Sequence, residues 1–255
     1  MKKNVLKAML YLLCSGLIIS PMVAKDSAPR KAKPGTAIFV MCETPCIIPV
    51  TKHIFKDTPT LYLDIKIPQL HGFSHKKFEH QLNKSFLEIG QTKAANAIKN
   101  ANLYNKPNLN ENVPPLKFEY LSDYTVIDTI DPYFVIEILD YEYNGGAHGL
   151  STQTYFTIDT LQNTIVTLDT LFRPESDYMG VINREITRQI QERTAQGEYF
   201  FTGTDGFSGI KTTQPFYINK TGDLVIVFNV YEIAPYAAGA VEFVIPRTLL
   251  EDNLK

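Results

Sequence analysis

Between residues 60 and 67 the sequence alternates with a period of two. Leu61, Leu63, Ile65 and Ile67 fall on one side, and Tyr62, Asp64 and Lys66 on the other. That is the pattern of a strand with one buried and one solvated face, and Pro68 is expected to end it. The period then changes. From residue 74 to about 99, Phe78, Leu82, Phe86 and Ile89 recur at helical spacing with charges between them. A half-buried strand followed at once by an amphipathic helix constrains the chain to a helix laid on a sheet.

The rest of the chain adds mainly strands. Residues 103–115 are rich in Asn and Pro and read as a loop. Residues 117–128, 133–143, 151–159 and 164–168 are rich in aromatic and β-branched side chains. A second helix is expected after Pro174, with Tyr178, Val181, Ile182, Ile186 and Ile190 facing a core. Residues 196–209 read as a Gly-rich exposed loop. Asn219-Lys220-Thr221-Gly222-Asp223 is a hairpin turn signal between strands at 216–218 and 224–230, and a last strand at 241–245 stops at Pro246. The expected class is α+β, with mostly antiparallel sheets and two longer helices packed on them.

The N-terminus carries an address. Lys2, Lys3 and Lys7 precede an apolar zone of roughly 12 residues, which ends in Ser20-Pro21-Met22-Val23-Ala24. Residues 1–24 are expected to be a secretory signal peptide, because a membrane-spanning helix needs about 20 apolar residues. Leu13 is not the small residue that lipidation of Cys14 would ask for. The expected location is periplasmic or secreted, with no stable membrane span after the leader is removed.

The whole chain has 25 Lys+Arg and 27 Asp+Glu. Without the leader's three lysines, 22 basic groups face 27 acidic ones, a net charge of −5. Such a balance gives no electrostatic footprint for nucleic acid. Residues 25–52 read as a flexible basic linker. Cys42 and Cys46 are the cysteines left after the leader, and in an oxidising compartment they are expected to pair as a local disulfide.

Two segments stand apart from the strand pattern. Asn144-Gly145-Gly146-Ala147-His148-Gly149 follows the aromatic strand end Tyr141-Glu142-Tyr143. Paired glycines permit positive φ and close backbone approach, so one imidazole is held in a tight turn. Tyr231-Glu232-Ile233-Ala234-Pro235-Tyr236-Ala237-Ala238-Gly239 places two tyrosines around a proline, followed by small residues. With Phe156-Thr157-Ile158-Asp159, Leu168-Asp169-Thr170-Leu171-Phe172 and the ending Ile245-Pro246, these segments resemble the extracytoplasmic domain shared by the RsiV anti-sigma factor and the non-catalytic N-terminal region of PdaC-type peptidoglycan deacetylases. The resemblance runs from about residue 60 to 250. It divides the chain into an N-terminal half, 53–173, and a C-terminal half, 174–255, of one domain. It implies an envelope domain, and in the RsiV branch it implies lysozyme binding. Neither a sigma-binding segment nor a deacetylase domain is expected in this chain.

The function expected from these readings is non-catalytic binding of peptidoglycan or of a protein such as lysozyme, with no cofactor. The binding residues are expected to be Asn144, Gly145, Gly146, His148, Gly149, Tyr231, Pro235, Tyr236 and Gly239, with residues 203–209 beside them. The alternative is an envelope hydrolase acting on cell-wall glycan through His148, near Tyr143, Tyr231 or Glu232. His71 and His75 have the spacing of a helical metal pair, but their segment reads as a loop and adjacent aspartates are absent, so no metal is expected. Residues 203–209 match neither a nucleophile elbow nor a phosphate loop.

Overall fold

Leu61, Leu63, Ile65 and Ile67 are buried in β2 (Leu61–His71), as their alternation requires. A computed structural model describes residues 47–106 and 115–255. The expected signal peptide, Cys14 and the Cys42–Cys46 pair lie outside the described residues. β2 pairs antiparallel with β1 (Ile48–Asp57), so residues 48–52, expected in the linker, are strand instead. This edge strand is exposed on nearly every residue and so has no period-two signature.

The strand order is β1-β2-β3-β4-β5-β6, with β3 (Phe118–Ile127), β4 (Tyr133–Tyr143), β5 (Leu150–Asp159) and β6 (Thr164–Val166). All neighbours are antiparallel except β2 and β3. A parallel pair needs a long crossover, and α1 (Lys76–Tyr104) supplies it. β2 runs through Pro68 rather than ending there. Its pairing with β3 stops at Ile65, while β1 still pairs at Pro68. A residue without an N–H is tolerated where one side of the strand is open.

α1 buries Leu82, Phe86, Gly90, Ala94, Ala97 and Ala101 against this sheet. From Gly90 onward the buried residues are small, so the helix approaches closely. A Cβ on Gly90 would lie 2.4 Å from Ile67 Cδ1. Gly90→Val is therefore expected to cost about 1–3 kcal/mol by overpacking, read as a lower urea midpoint with an unchanged slope. The helix opens on His75, whose Nδ1 accepts from the Phe78 N–H at 3.0 Å. It continues past the expected end near residue 99. Asn105 follows it, bonding Leu116 through Oδ1 at 2.9 Å and Nδ2 at 3.0 Å just before β3.

A second core gathers around β7 (Phe216–Ile218), β8 (Leu224–Phe228) and β9 (Val241–Ile245). β8 is central and all five of its residues are buried. α2 (Tyr178–Ala195) covers this sheet with Ile182 and Ile186. The expected exposed loop at 196–209 contributes Phe200 to the same core. The described residues thus hold two helices and nine strands in mostly antiparallel sheets, the α+β class expected. Among them, no helix is long and apolar enough to cross a membrane.

Candidate functional site

The two motifs meet. His148 and Tyr231 are 83 residues apart in sequence, yet Nε2 of one lies 3.4 Å from the hydroxyl of the other. The Tyr236 ring centroid is 4.1 Å from that of His148, and the Tyr231 and Tyr236 centroids are 5.7 Å apart. His148 and Tyr231 are exposed and Tyr236 is half-buried. The result is a surface of one imidazole and two phenols.

Each side of this surface has a local cause. On the first side, β4 delivers Tyr141 and Tyr143, and the chain turns at Gly145 and Gly146, with φ of 100° and 99°. A Cβ on Gly145 would meet Leu116 Cδ2 at 2.7 Å, so the position needs glycine for space as well as conformation. The Gly146 carbonyl accepts from the Tyr143 hydroxyl at 3.2 Å, and Asn144 donates to Glu142 at 2.8 Å. Gly149 is buried, and a Cβ there would lie 2.4 Å from the Tyr141 ring. The tip of the Tyr141 ring therefore packs closely against the turn. Burial pushes the Tyr141 phenol above its ordinary range, so it stays neutral.

The second side hangs from Asn229. Its Oδ1 accepts from the Gln153 backbone N–H at 2.7 Å, and its Nδ2 donates to the Gln153 carbonyl at 3.2 Å. β6 pairs with β5 only at Thr157–Asp159, so the amide side chain fills a gap in the ladder as a strand would. A turn follows in which the Glu232 N–H bonds the Asn229 carbonyl at 3.0 Å. Its third residue, Tyr231, has φ of 67°, a left-handed conformation that costs a tyrosine about 1–3 kcal/mol. The Glu232 carboxylate closes the turn by accepting from the Asn229 N–H at 2.9 Å. Ile233 and Ala234 are buried anchors. Pro235 then starts a short 3-10 turn over Tyr236–Ala238, ended by Gly239 at φ of 68°.

The chemistry open to His148 follows from its bonds. Its Nδ1 lies 3.0 Å from the Gly149 carbonyl. A carbonyl only accepts, so that bond places a proton on Nδ1, and in the neutral ring Nε2 accepts from Tyr231. Both nitrogens have partners and neither partner is a carboxylate. Glu232, expected as a possible helper, bonds Asn229 and Gln214 instead. Within residues 203–209, a Cβ on Gly209 would lie 3.1 Å from Asn183 of α2, and Phe207 meets Phe228 of β8 edge-on. Phe201 brings the preceding stretch alongside Ile233 through a 2.9 Å backbone bond. His75 is a helix cap, and His71 lies 3.7 Å from Glu79. Among the described residues no three potential metal ligands converge.

Sequence reasoning found both motifs and missed what joins them. Asn229 and Glu232 set the angle of Tyr231, and Tyr141 supports Gly149. The tight Asn229-to-Glu232 spacing around Tyr231 is the signal for the turn that the sequence carries. Nothing local indicated that Asn229 would reach Gln153.

Comparison with known proteins gives the family resemblance and the fold. Residues 54–151 match the family model described as Deacetylase PdaC, and residues 169–248 match the one described as Protein of unknown function (DUF3298). The anti-sigma-V factor RsiV of Bacillus subtilis is 31% identical over 198 residues, covering 75% of this chain and 65% of RsiV. The peptidoglycan-N-acetylmuramic acid deacetylase PdaC of the same organism is 22% identical over 133 residues, covering 52% of this chain and 28% of PdaC. The chain thus spans less than two thirds of either relative. A crystal structure of a DUF3298 family member from Bacteroides fragilis superposes with a TM-score of 0.59 at 22% identity, covering 82% of this chain and 92% of that one. One from Pseudomonas aeruginosa gives 0.53 at 17% identity, covering 84% and 95%. These two establish a shared fold. The chain resembles the region common to RsiV and PdaC, as its motifs imply.

Proposed function

From a chain that carries PdaC-like and DUF3298 segments in tandem, we propose an exported, non-catalytic envelope domain that binds a protein ligand such as lysozyme. Its contact surface is the cluster of His148, Tyr231 and Tyr236. The observation that carries this reading is the convergence of two distant motifs into one cluster of exposed and half-buried aromatic rings held by a strained, cross-braced turn. Tyrosine offers large contact area at low entropic cost, and rigid rings lose less on binding. The likeness to RsiV supports the ligand class, and the acidic mature chain suits a basic partner.

Peptidoglycan is the other ligand expected from the resemblance, and its glycan could stack on the same rings. Retention on immobilised lysozyme, set beside co-sedimentation with purified sacculi, separates the two. Lysozyme retention without sedimentation is the expected result. Loss of both would remove this function.

Hydrolysis through His148 is disfavoured because both ring nitrogens already have partners and no carboxylate is bonded to either. His148→Ala is expected to weaken lysozyme binding by about 2–10-fold, the value of one aromatic contact. It should change no activity on muropeptides. A muropeptide-cleaving activity abolished by this substitution would establish the hydrolase instead.

A further inference from the structure

A second cluster lies beside the tyrosine surface, in the seam between the two sheets. Glu137 of β4 is half-buried and accepts from Gln153 Nε2 at 2.8 Å and from the Tyr155 hydroxyl at 3.3 Å. Tyr155 stacks on Tyr217 of β7, with centroids 5.0 Å apart and ring planes at 23°. Tyr217 donates to Glu242 of β9 at 3.2 Å. Each sheet thus contributes one carboxylate and one phenol.

The seam connects to the binding surface through Gln153. Its side chain bonds Glu137, while its backbone holds Asn229, which carries the Tyr231 turn. Gln153 also brings an oddity: its side-chain oxygen is buried without a partner. An ionised Glu137 can only accept hydrogen bonds. A protonated one carries an O–H, the donor that the lone acceptor lacks.

We propose that this seam is an acid-tightened clasp on the tyrosine surface, closed when Glu137 takes up a proton and loosened when it is ionised. The inference rests on the binding function proposed above for its consequence, and on the seam geometry alone for its mechanism. Four titratable groups face one another here. Tyr155 comes from β5, Tyr217 from β7 and Glu242 from β9. Thr125, opposite Glu137 on β3, is uncharged. From α2, Arg193 donates to the Glu242 backbone carbonyl and pairs with Glu198. Burial pushes the Glu137 carboxyl above its ordinary value, and the charge of Glu242 adds to this against the two hydrogen bonds. The folded chain therefore holds this proton more tightly than the unfolded chain. The stability it contributes is complete below the ordinary value of 4.5 and is lost as pH rises through the raised one.

Glu137→Gln keeps both hydrogen bonds to Oε1 and removes the charge. The expected result is a melting temperature about 2–4 °C above wild type at neutral pH, a gap that closes as pH falls to 4.5. A gap independent of pH, or none, would overturn the clasp. Glu242→Gln at the exposed side of the seam supplies a second reading. It should shift the pH-dependent loss of stability of the otherwise wild-type chain towards higher stability at neutrality, and an unchanged profile would overturn the mechanism. For the consequence, dissociation from immobilised lysozyme at neutral pH should be about 3–10-fold slower for Glu137→Gln than for wild type, with equal rates at 4.5. Equal rates at every pH would show that the clasp does not reach the surface. If neither protein is retained on lysozyme, the binding function fails, and the melting profiles still decide the clasp.

Discussion

Asn229→Ala is expected to lower stability by about 2 kcal/mol and to weaken ligand binding at the same time. The side chain provides both a donor and an acceptor to the Gln153 backbone, at 3.2 and 2.7 Å. Alanine leaves an N–H and a carbonyl of β5 unpaired beside packed tyrosines, and an unsatisfied group of this kind costs about 1–3 kcal/mol. In a domain of this size the melting temperature should fall by about 4–8 °C. The turn also loses its tether, so Tyr231 is no longer held over His148. Asn229→Asp keeps the acceptor for the Gln153 N–H and loses the donor, and should lie between alanine and wild type. Thermal melts of the three chains check the order. Equal melting temperatures would mean that water satisfies Gln153 without help.

The second large effect concerns Tyr231 and Tyr236 themselves. Buried interface tyrosines commonly carry about 2 kcal/mol or more, roughly 30-fold in affinity. Tyr231 allows a sharper test than truncation usually does. It sits at φ of 67°, where glycine is at ease. Tyr231→Gly removes the ring and also relieves the strain, so stability should hold or rise by up to about 1 kcal/mol while binding falls. A merely structural tyrosine would show the opposite: lower stability with binding preserved. The two readouts together separate a contact residue from a packing residue.

Much of the fold was legible because strands such as β2 and β9, and both helices, bury one face. Leu61, Leu63, Ile65 and Ile67 declare β2, and Val241–Ile245 is visible as a strand closed by Pro246. β1 was not legible. It is an edge strand with little burial on either face, so hydrophobic periodicity carries no information about it. The same limit explains α1, which continues to Tyr104 through Ala97 and Ala101. Small residues bury well at a close approach but scarcely register as an apolar stripe.

The site shows a comparable division. The turn at Gly145 and Gly146 and the tyrosines of the second motif are visible as local chemistry. Their meeting is a tertiary fact, made by Asn229 on Gln153 and by Tyr141 under Gly149. The seam is hidden more deeply, because Glu137, Tyr155, Tyr217 and Glu242 come from four strands and no two are neighbours in sequence. Each alone looks like an ordinary outward residue of a strand.

The central claim is that the rings of Tyr231 and Tyr236, gathered around His148, form the contact surface for a lysozyme-like protein. Surface plasmon resonance with immobilised lysozyme tests it most directly, comparing wild type with the Tyr231→Gly, Tyr236→Ala double variant. Binding by wild type and at least about 30-fold weaker binding by the variant, with both chains melting within a few degrees of each other, is the predicted result. Equal affinity of the two folded chains would contradict it.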